Sequence, residues 1–281
     1  MIIWIASYPK SGNTWVRSLL SSYYFSNDGK FNFNLLKNID QYPQQKFFKQ
    51  KITKPGEISN FWESSQKEII EKKKIFLFKT HNSLTSLNGK NFTSPNFTLG
   101  AIYVVRDPRN LITSLKNHYN LNYDEAAKFM NNDRKFIYDD RFKENYSTFH
   151  FLSSWSNHYK SWIINKMFKT LVIKYEDLEN KTYETVKHMF SFVDSLSGEN
   201  KELNKDKIIN SIKTTKFEIL QKKEEESGFM ENISLNHNKK INFFYLGSKN
   251  NWKNVLSKEM KIKTNKLFQN DLKFLKYEFT K

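Results

Sequence analysis

The stretch from residue 2 to residue 20 constrains the fold more than any other part of the sequence. Residues 2–6 form an uninterrupted apolar run rich in β-branched side chains, which is typical of a strand buried on both faces. Pro9 ends the run because it cannot donate a ladder hydrogen bond, and Gly12 permits a tight turn. From Asn13 onward, apolar residues recur at helical spacing. The pattern predicts a strand, a short polar loop and the start of a helix.

This predicted loop has the chemistry of an anion-binding site. The first amides of a helix lack carbonyl partners and lie at the positive end of the helix dipole, so phosphates bind there readily. The loop adds the ammonium of Lys10 and the hydroxyls of Ser11 and Thr14. It is not a Walker A loop, because its lysine precedes the glycine and the first glycine of that motif is missing. The alternative is an ordinary strand-to-helix turn with a solvated lysine.

A second apolar run, at residues 75–78, predicts another buried strand, and Lys79, Thr80 and His81 follow it. Open α/β sheets place ligands just beyond the carboxyl ends of their strands. Because side chains alternate along an extended backbone, Lys79 and His81 should point to the same side. A lysine there can stabilise anionic charge, and a histidine can remove a proton. The alternative for His81 is an exposed loop histidine that titrates normally.

A third predicted strand, at residues 101–105, ends in an arginine and leads into a helix. Asp107 and Pro108 have the pattern of an N-cap followed by proline at the first helical position. Arg106 offers a planar fork suited to phosphate, and Ser114 lies within the helix that follows. The alternative for Arg106 is a salt bridge to Asp107 or to another neighbour.

Composition narrows the class of protein. The formal charge is +17, but the lysines are spread along the chain rather than gathered in a block, so we expect no specific nucleic-acid partner. The chain has no cysteine, and no apolar run approaches the roughly 20 residues of a membrane span. We therefore expect one α/β domain over residues 1–281, without a membrane span and located in the cytoplasm.

Three segments together resemble one family, the sulfotransferases that use 3′-phosphoadenosine 5′-phosphosulfate (PAPS). Residues 8–15, Tyr-Pro-Lys-Ser-Gly-Asn-Thr-Trp, resemble the family's 5′-phosphosulfate loop. Residues 79–81 resemble the segment that carries its catalytic base, and residues 106–114 resemble its 3′-phosphate motif. The resemblance implies a P-loop-NTPase-like sulfotransferase fold, in which helices flank a central, mostly parallel sheet. It also implies PAPS as co-substrate and requires no metal.

The resemblance continues downstream and then departs from the family pattern. Tyr175, Thr215 and Phe217 match residues that contact adenine in the family. Residues 243–254 resemble its late loop, in which Gly247 is retained. The Arg-Lys pair that meets the 3′-phosphate in the family is replaced by Tyr245 and Leu246. Loss of two cations should weaken phosphate binding, unless Lys239, Lys240 or Lys249 substitutes for them.

The family's roles carry over to matching positions. His81 is implied as the general base, Lys10 as the cation on the departing phosphate, and Lys79 as the cation on the sulfuryl oxygens. The residues implied in donor binding are Lys10, Ser11, Gly12, Asn13, Thr14, Trp15, Arg106, Ser114, Tyr175, Thr215, Phe217 and Gly247. The acceptor is not identified; residues 30–60, 83–96, 120–148 and 227–245 are expected to line its pocket.

Three other functions stay open at this point. A small-molecule kinase would need Mg²⁺ and an acidic ligand, for which Asp107 and Asp177 are the candidates. A nucleic-acid-binding module would rest on net charge alone. A sulfotransferase-like protein that binds nucleotide without turnover is compatible with the loss of the Arg-Lys pair.

Among the remaining elements, the sequence predicts helices over residues 57–74 and 149–164 and a mobile loop over residues 227–240.

Overall fold

The computed structural model describes the chain except for residues 73, 142–143, 200–201, 230, 232, 236–238 and 280–281, and it describes residues 233–235 and 239–241 by their backbone. Its strands are β1 (Ile2–Ser7), β2 (Phe76–Thr80), β3 (Ser86–Leu87), β4 (Lys90–Asn91), β5 (Thr98–Val105), β6 (Phe136–Ile137), β7 (His150–Phe151), β8 (Lys169–Lys174), β9 (Ile233–Leu235) and β10 (Lys239–Ile241). Its helices are α1 (Asn13–Phe25), α2 (Trp62–Ile70), α3 (Pro108–His118), α4 (Tyr123–Met130), α5 (Trp155–Ile163), α6 (Tyr175–Asn180), α7 (Thr182–Ser197), α8 (Lys205–Thr214), α9 (Phe217–Ser227), α10 (Trp252–Val255), α11 (Lys258–Leu267) and α12 (Gln269–Phe274).

The apolar runs of the sequence form a parallel sheet. In the part of the chain that the structure describes, this sheet has four strands in the order β2–β1–β5–β8. Ile5 of β1 pairs with Lys79 on one side and with Ile102 on the other. Because all four strands are parallel, their carboxyl ends lie along one edge of the sheet. The predicted α/β architecture with a central parallel sheet is confirmed.

Apolar residues cover both faces of the sheet. Trp4 of β1 and Tyr103 of β5 pack in a core with residues of α3, α5 and α12 on one face. Ile5 and Ile102 pack on the other face with residues of α1, α7 and α8. A strand that is covered on both sides needs no polar face, which explains why these runs are continuously apolar rather than alternating.

The predicted helix over residues 149–164 is wrong in its first third. His150 and Phe151 form β7, which pairs antiparallel with β6. The helix begins only at Trp155, because the Ser154 side chain caps it by accepting a hydrogen bond from the amide of Asn157. The aromatic periodicity of the sequence does not show this boundary.

Two other predicted segments need adjustment. Residues 57–74 begin with a 3₁₀ turn at Glu57–Phe61, and the α-helix covers only Trp62–Ile70. In the predicted mobile loop, residues 230, 232 and 236–238 lie outside the described part of the chain, while β9 and β10 pair antiparallel. Across the residues that are described, no helix has both the length and the apolar character needed to cross a bilayer.

Candidate functional site

The carboxyl ends of β1, β2, β5 and β8 open into a shared cleft of about 1810 Å³. Most of the residues singled out in the sequence line this cleft: Lys10, Gly12, Asn13, Thr14, Trp15, Lys79, His81, Arg106, Ser114, Tyr175, Thr215, Phe217 and Gly247. Ser11 is the exception, because its side chain is fully buried outside the lining and its hydroxyl has no hydrogen-bond partner among the described residues. Cations from separate strand ends therefore face one space.

The loop after β1 is shaped by its glycine. Gly12 is the N-cap of α1 and has a φ of 104°, which favours glycine. A Cβ at this position would lie 2.6 Å from the Tyr175 ring, so the close approach of that ring also requires glycine. The Asn13 side chain donates to the Ile5 carbonyl (3.0 Å) and to Ser7 Oγ (3.2 Å). Asn13 thus fixes the start of α1 against β1.

Lys10 is held in an unusual environment at the entrance to this loop. Its Nζ donates to the Phe243 carbonyl (3.2 Å) and lies 3.2 Å from the centroid of the Phe243 ring. Burial lowers the pKa of Lys10 to about 7, although the nearby carboxylate of Glu231 opposes this shift. An anion that enters the cleft would favour the charged form of Lys10.

His81 presents one ring nitrogen to the protein and leaves the other free. Its Nδ1 lies 2.7 Å from the Ser7 carbonyl, which can only accept, so Nδ1 carries the proton of the neutral ring. Among the described residues, no group hydrogen-bonds to Nε2. Burial, with help from Lys79 and His150, holds the pKa of His81 well below its ordinary value. The ring is therefore neutral at neutral pH, with an unprotonated Nε2.

Two further histidines, which no sequence motif marks, line the cleft. His150 accepts a weak hydrogen bond from the His81 amide at Nδ1 (3.4 Å), and its buried Nε2 has no partner in the described part of the chain. Burial lowers the pKa of His150 to about 3 and that of His118 to about 2. Both imidazoles are neutral at neutral pH.

Arg106 does not form the alternative salt bridge with Asp107. Its Nη1 donates to Ser114 Oγ (3.1 Å) and to the Lys10 carbonyl (3.2 Å), and its guanidinium lies 4.0 Å from the centroid of the Tyr175 ring. Asp107 instead caps α3 and pairs with Arg109 Nη2 at 2.6 Å. The buried Nε of Arg106 has no partner among the described residues, which leaves a donor for an anion.

Beside Arg106, the side chain of Asn250 lines the cleft and donates two hydrogen bonds. Asn250 Nδ2 donates to the Asn110 carbonyl (2.8 Å) and to Ser114 Oγ (3.0 Å). Because that carbonyl can only accept, the amide orientation of Asn250 is fixed, with its oxygen buried and without a partner in the described chain. No sequence motif marks Asn250 as a site residue.

Aromatic rings form another wall of the cleft. The Trp15 ring meets the Tyr175 ring edge-on at 5.7 Å between centroids. A Cβ on Gly247 would lie 2.5 Å from the Phe217 ring, so this glycine allows the ring to pack against the backbone. Thr215 is fully buried and its hydroxyl donates to the Ser211 carbonyl (2.7 Å). Aromatic rings that line a cleft can stack on a planar ligand such as a nucleobase.

A carboxylate of the chain itself lies among the cations. Glu231 Oε1 is 2.5 Å from Arg17 Nη1 and 3.1 Å from Lys79 Nζ, and Oε2 accepts from Thr14 Oγ1 at 3.0 Å. Burial would raise the pKa of Glu231, but Lys79 and Arg17 outweigh it and hold this pKa well below its ordinary value. The cleft thus holds a carboxylate anion between three donors.

The model for the sulfotransferase domain matches residues 2–276 of this sequence, which is nearly the whole chain. The chain belongs to the sulfotransferase family. A luciferin sulfotransferase from Photinus pyralis is 23% identical over 286 residues, which cover 92% of this chain and 68% of that protein.

Solved sulfotransferase structures share the fold. A retinol dehydratase in complex with androsterone and the inactive cofactor PAP has a TM-score of 0.60 and 16% identity, over 97% of this chain and 80% of that one. A mouse sulfotransferase in complex with PAP has a TM-score of 0.54 and 18% identity, over 96% of this chain and 84% of that one. These likenesses concern the fold.

Within the described residues, the late loop of this sulfotransferase (243–254) contributes no lysine to the lining of the cleft. Tyr245 and Leu246 line the cleft where the family's Arg-Lys pair was expected. Lys249 is exposed and is not among the lining residues, and the side chains of Lys239 and Lys240 lie outside the described part of the chain.

Residues 83–96 do not line the cleft, contrary to expectation. Other hydrogen bonds fix this segment: Gln66 Nε2 of α2 donates to the Phe92 carbonyl (2.6 Å), and the Ser83 amide donates to the Phe151 carbonyl (2.8 Å). Glu176, at the start of α6, has a structural role, since its carboxylate accepts from the Asp107 amide and from the Tyr277 hydroxyl, each at 3.0 Å.

Proposed function

We propose that this protein, as one domain over residues 1–281, transfers the sulfuryl group of PAPS to a hydroxyl or amine of an acceptor. The observation that carries the proposal is the shared cleft, in which Lys10, Lys79, Arg106 and an unprotonated Nε2 of His81 face the same space. Family membership supports the reaction class. The solved relatives contain PAP, the desulfated form of this donor, which supports the donor.

In the proposed reaction, His81 and Lys10 act on opposite sides of the sulfur. His81 Nε2 takes the proton from the acceptor hydroxyl while the acceptor oxygen forms a bond to sulfur. The bond from sulfur to the phosphate oxygen breaks, and Lys10 stabilises the charge on that oxygen. Lys79 neutralises charge on the non-bridging sulfuryl oxygens. The amides of residues 12–15 and the Thr14 hydroxyl hold the 5′-phosphate.

At the other end of the donor, Arg106 and Ser114 would hold the 3′-phosphate, and Trp15, Tyr175 and Phe217 would enclose the adenine. The free Nε–H of Arg106 and its contact with Ser114 support this assignment. Since Tyr245 and Leu246 supply no cation, we propose that Arg106 carries most of the charge recognition there.

A small-molecule kinase loses its support, because the chain is a sulfotransferase and Asp107 is used in a helix cap and an ion pair.

The remaining walls of the cleft suit an acceptor that presents both hydroxyl groups and an apolar face. In residues 32–46 and 132–141, amide and charged side chains such as Asn32 and Arg134 line the cleft beside Phe33, Leu36 and Phe136. The polar groups can hydrogen-bond hydroxyls, and the apolar ones can pack against a ring. A panel of a monosaccharide, a phenol and a sterol, assayed for release of PAP from PAPS, would test this preference, with the phenol expected to turn over fastest. Turnover with the monosaccharide alone would contradict it.

PAP should stabilise the protein more than AMP does, because a ligand that binds the native state raises its melting temperature, and the tighter ligand raises it more at the same concentration. Arg106→Gln should remove most of the difference between the two nucleotides. A charge-assisted hydrogen bond contributes roughly 1.5–3 kcal/mol, so the affinity ratio should shrink about tenfold or more. Thermal unfolding with each nucleotide at matched concentrations measures the effect.

Arg134→Gln serves as the matched control, because Arg134 is an exposed arginine of the same cleft. It should leave the preference for PAP intact. Equal stabilisation of the unaltered protein by PAP and AMP would contradict a 3′-phosphate site.

Donor affinity should fall as the pH rises above about 7, the pKa of Lys10 without ligand. The charged form is needed to bind the phosphate, and the bound anion raises this pKa, so binding above neutral pH takes up a proton. One linked proton weakens binding by up to about tenfold per pH unit. Calorimetry with PAP between pH 6.5 and 8.5, in buffers that differ in ionisation enthalpy, measures both effects.

The Lys10→Arg variant distinguishes proton uptake by Lys10 from uptake by other titrating groups, since arginine stays charged throughout this pH range. In that variant the extra proton uptake should disappear. Uptake that persists unchanged would assign the linkage to another group.

A further inference from the structure

The groups around Glu231 form a built oxyanion site with one member that the family motifs do not name. Arg17 lies one helical turn after Thr14 on α1, so both side chains project from the same face of the helix. The Arg17 side chain is only 6% exposed, and its Nη2 is anchored to the Ile39 carbonyl (3.3 Å). Its Nη1 contacts the same carboxylate oxygen as Lys79.

The carboxylate leaves one donor of this site unused. In the described chain, Arg17 Nε is buried and has no hydrogen-bond partner. A carboxylate has two oxygens in a plane, whereas a phosphoryl or sulfuryl group has three oxygens arranged around its centre. A larger oxyanion is therefore the better match to the donors that are present, because unsatisfied buried donors are costly.

We propose that Arg17 is a donor-binding residue, which contacts the 5′-phosphate of the donor together with Thr14, beside Lys79 on the sulfuryl oxygens, and that Glu231 is an internal anion that competes with the donor for these groups. The inference rests on the proposed function, since it takes PAPS as the occupant. Two anions cannot share the same three donors, so the Glu231 carboxylate must leave before the donor binds. The apparent donor affinity is therefore the intrinsic affinity multiplied by the fraction of molecules in which Glu231 has left the site.

Glu231→Gln should therefore tighten PAP binding by about tenfold, since the amide is neutral and competes poorly for Arg17 and Lys79. Titration calorimetry with PAP at fixed pH and salt measures the change. Glu226→Gln is the matched control, because Glu226 carries the same charge on the exposed surface of α9, 3.7 Å from Lys222. It should change PAP affinity little, which separates local competition from the change in net charge.

The role of Arg17 is tested in the Glu231→Gln background, where its partner carboxylate is no longer present. There, Arg17→Gln should weaken PAP binding roughly ten- to hundredfold if Arg17 contacts the donor. If Arg17 serves only to hold Glu231, this second substitution should change nothing. Arg17→Lys keeps the charge but loses the fork, and should give an intermediate affinity. Thermal unfolding shows whether each variant folds; if Arg17→Gln does not, Arg17→Lys decides the question.

The outcomes distinguish this inference from the proposed function. If the unaltered protein and Glu231→Gln both fail to bind PAP, the proposed function is wrong. If both bind PAP with equal affinity, or if Glu226→Gln tightens binding as much as Glu231→Gln, the competition by Glu231 is overturned and the proposed function stands. If neither Arg17 variant weakens binding in the Glu231→Gln background, Arg17 is not a donor-binding residue.

Discussion

Replacing His81 by asparagine should lower kcat by roughly 10²–10⁴-fold, the usual contribution of a general base, while donor binding is retained. Asparagine is the informative substitution because its amide nitrogen lies near the position of Nδ1. It can still donate to the Ser7 carbonyl, which His81 contacts at 2.7 Å, but it offers nothing in place of Nε2. The measurement is release of PAP from PAPS with a saturating acceptor, together with the affinity for PAP by calorimetry.

His150→Asn provides the matched control for this prediction. His150 also lines the cleft beside His81, so it is the competing histidine, but its Nδ1 accepts from the His81 amide and the proton of its neutral ring is therefore on Nε2. We expect its replacement to keep most of the turnover. Full activity in His81→Asn, combined with a large loss in His150→Asn, would transfer the role of base to His150.

The sheet and its strand ends could be predicted from the sequence for a simple reason. A strand covered on both faces is apolar at every position, and β1, β2 and β5 each end at an abrupt change to polar residues. Because parallel strands bring their carboxyl ends together, the order of motifs along the chain was enough to predict that Lys10, His81 and Arg106 face one cleft.

Contacts between distant segments could not be predicted in the same way. Glu231 meets Arg17 across 214 positions of sequence, and nothing in the polar stretch around it marks it as part of the site. His150 reaches the His81 amide because β7 pairs with β6, whereas the aromatic spacing of the sequence favoured a helix there. The Thr14–Arg17 spacing on one helical face was the signal that could have identified Arg17.

Lys79→Met should lower kcat by roughly 10²–10³-fold, the cost of removing one preorganised charge that stabilises a transition state. Methionine preserves the length and apolar stem of the side chain, and Lys79 is buried, so the change removes little but the ammonium. PAP lacks the sulfuryl group that Lys79 is proposed to contact. Its affinity should therefore hold, or rise slightly, because Glu231 loses the cation 3.1 Å from its carboxylate and competes less well.

This combination of lower kcat and undiminished PAP affinity separates Lys79 from Lys10, whose loss should weaken PAP binding as well. Lys37→Met is the control, since Lys37 is an exposed lysine of the same cleft and should affect neither quantity. A loss of PAP affinity in Lys79→Met as large as its loss of kcat would mean that Lys79 binds the phosphate of the donor. In that case Lys79 would join Arg17 on the 5′-phosphate rather than stabilise the transferred group.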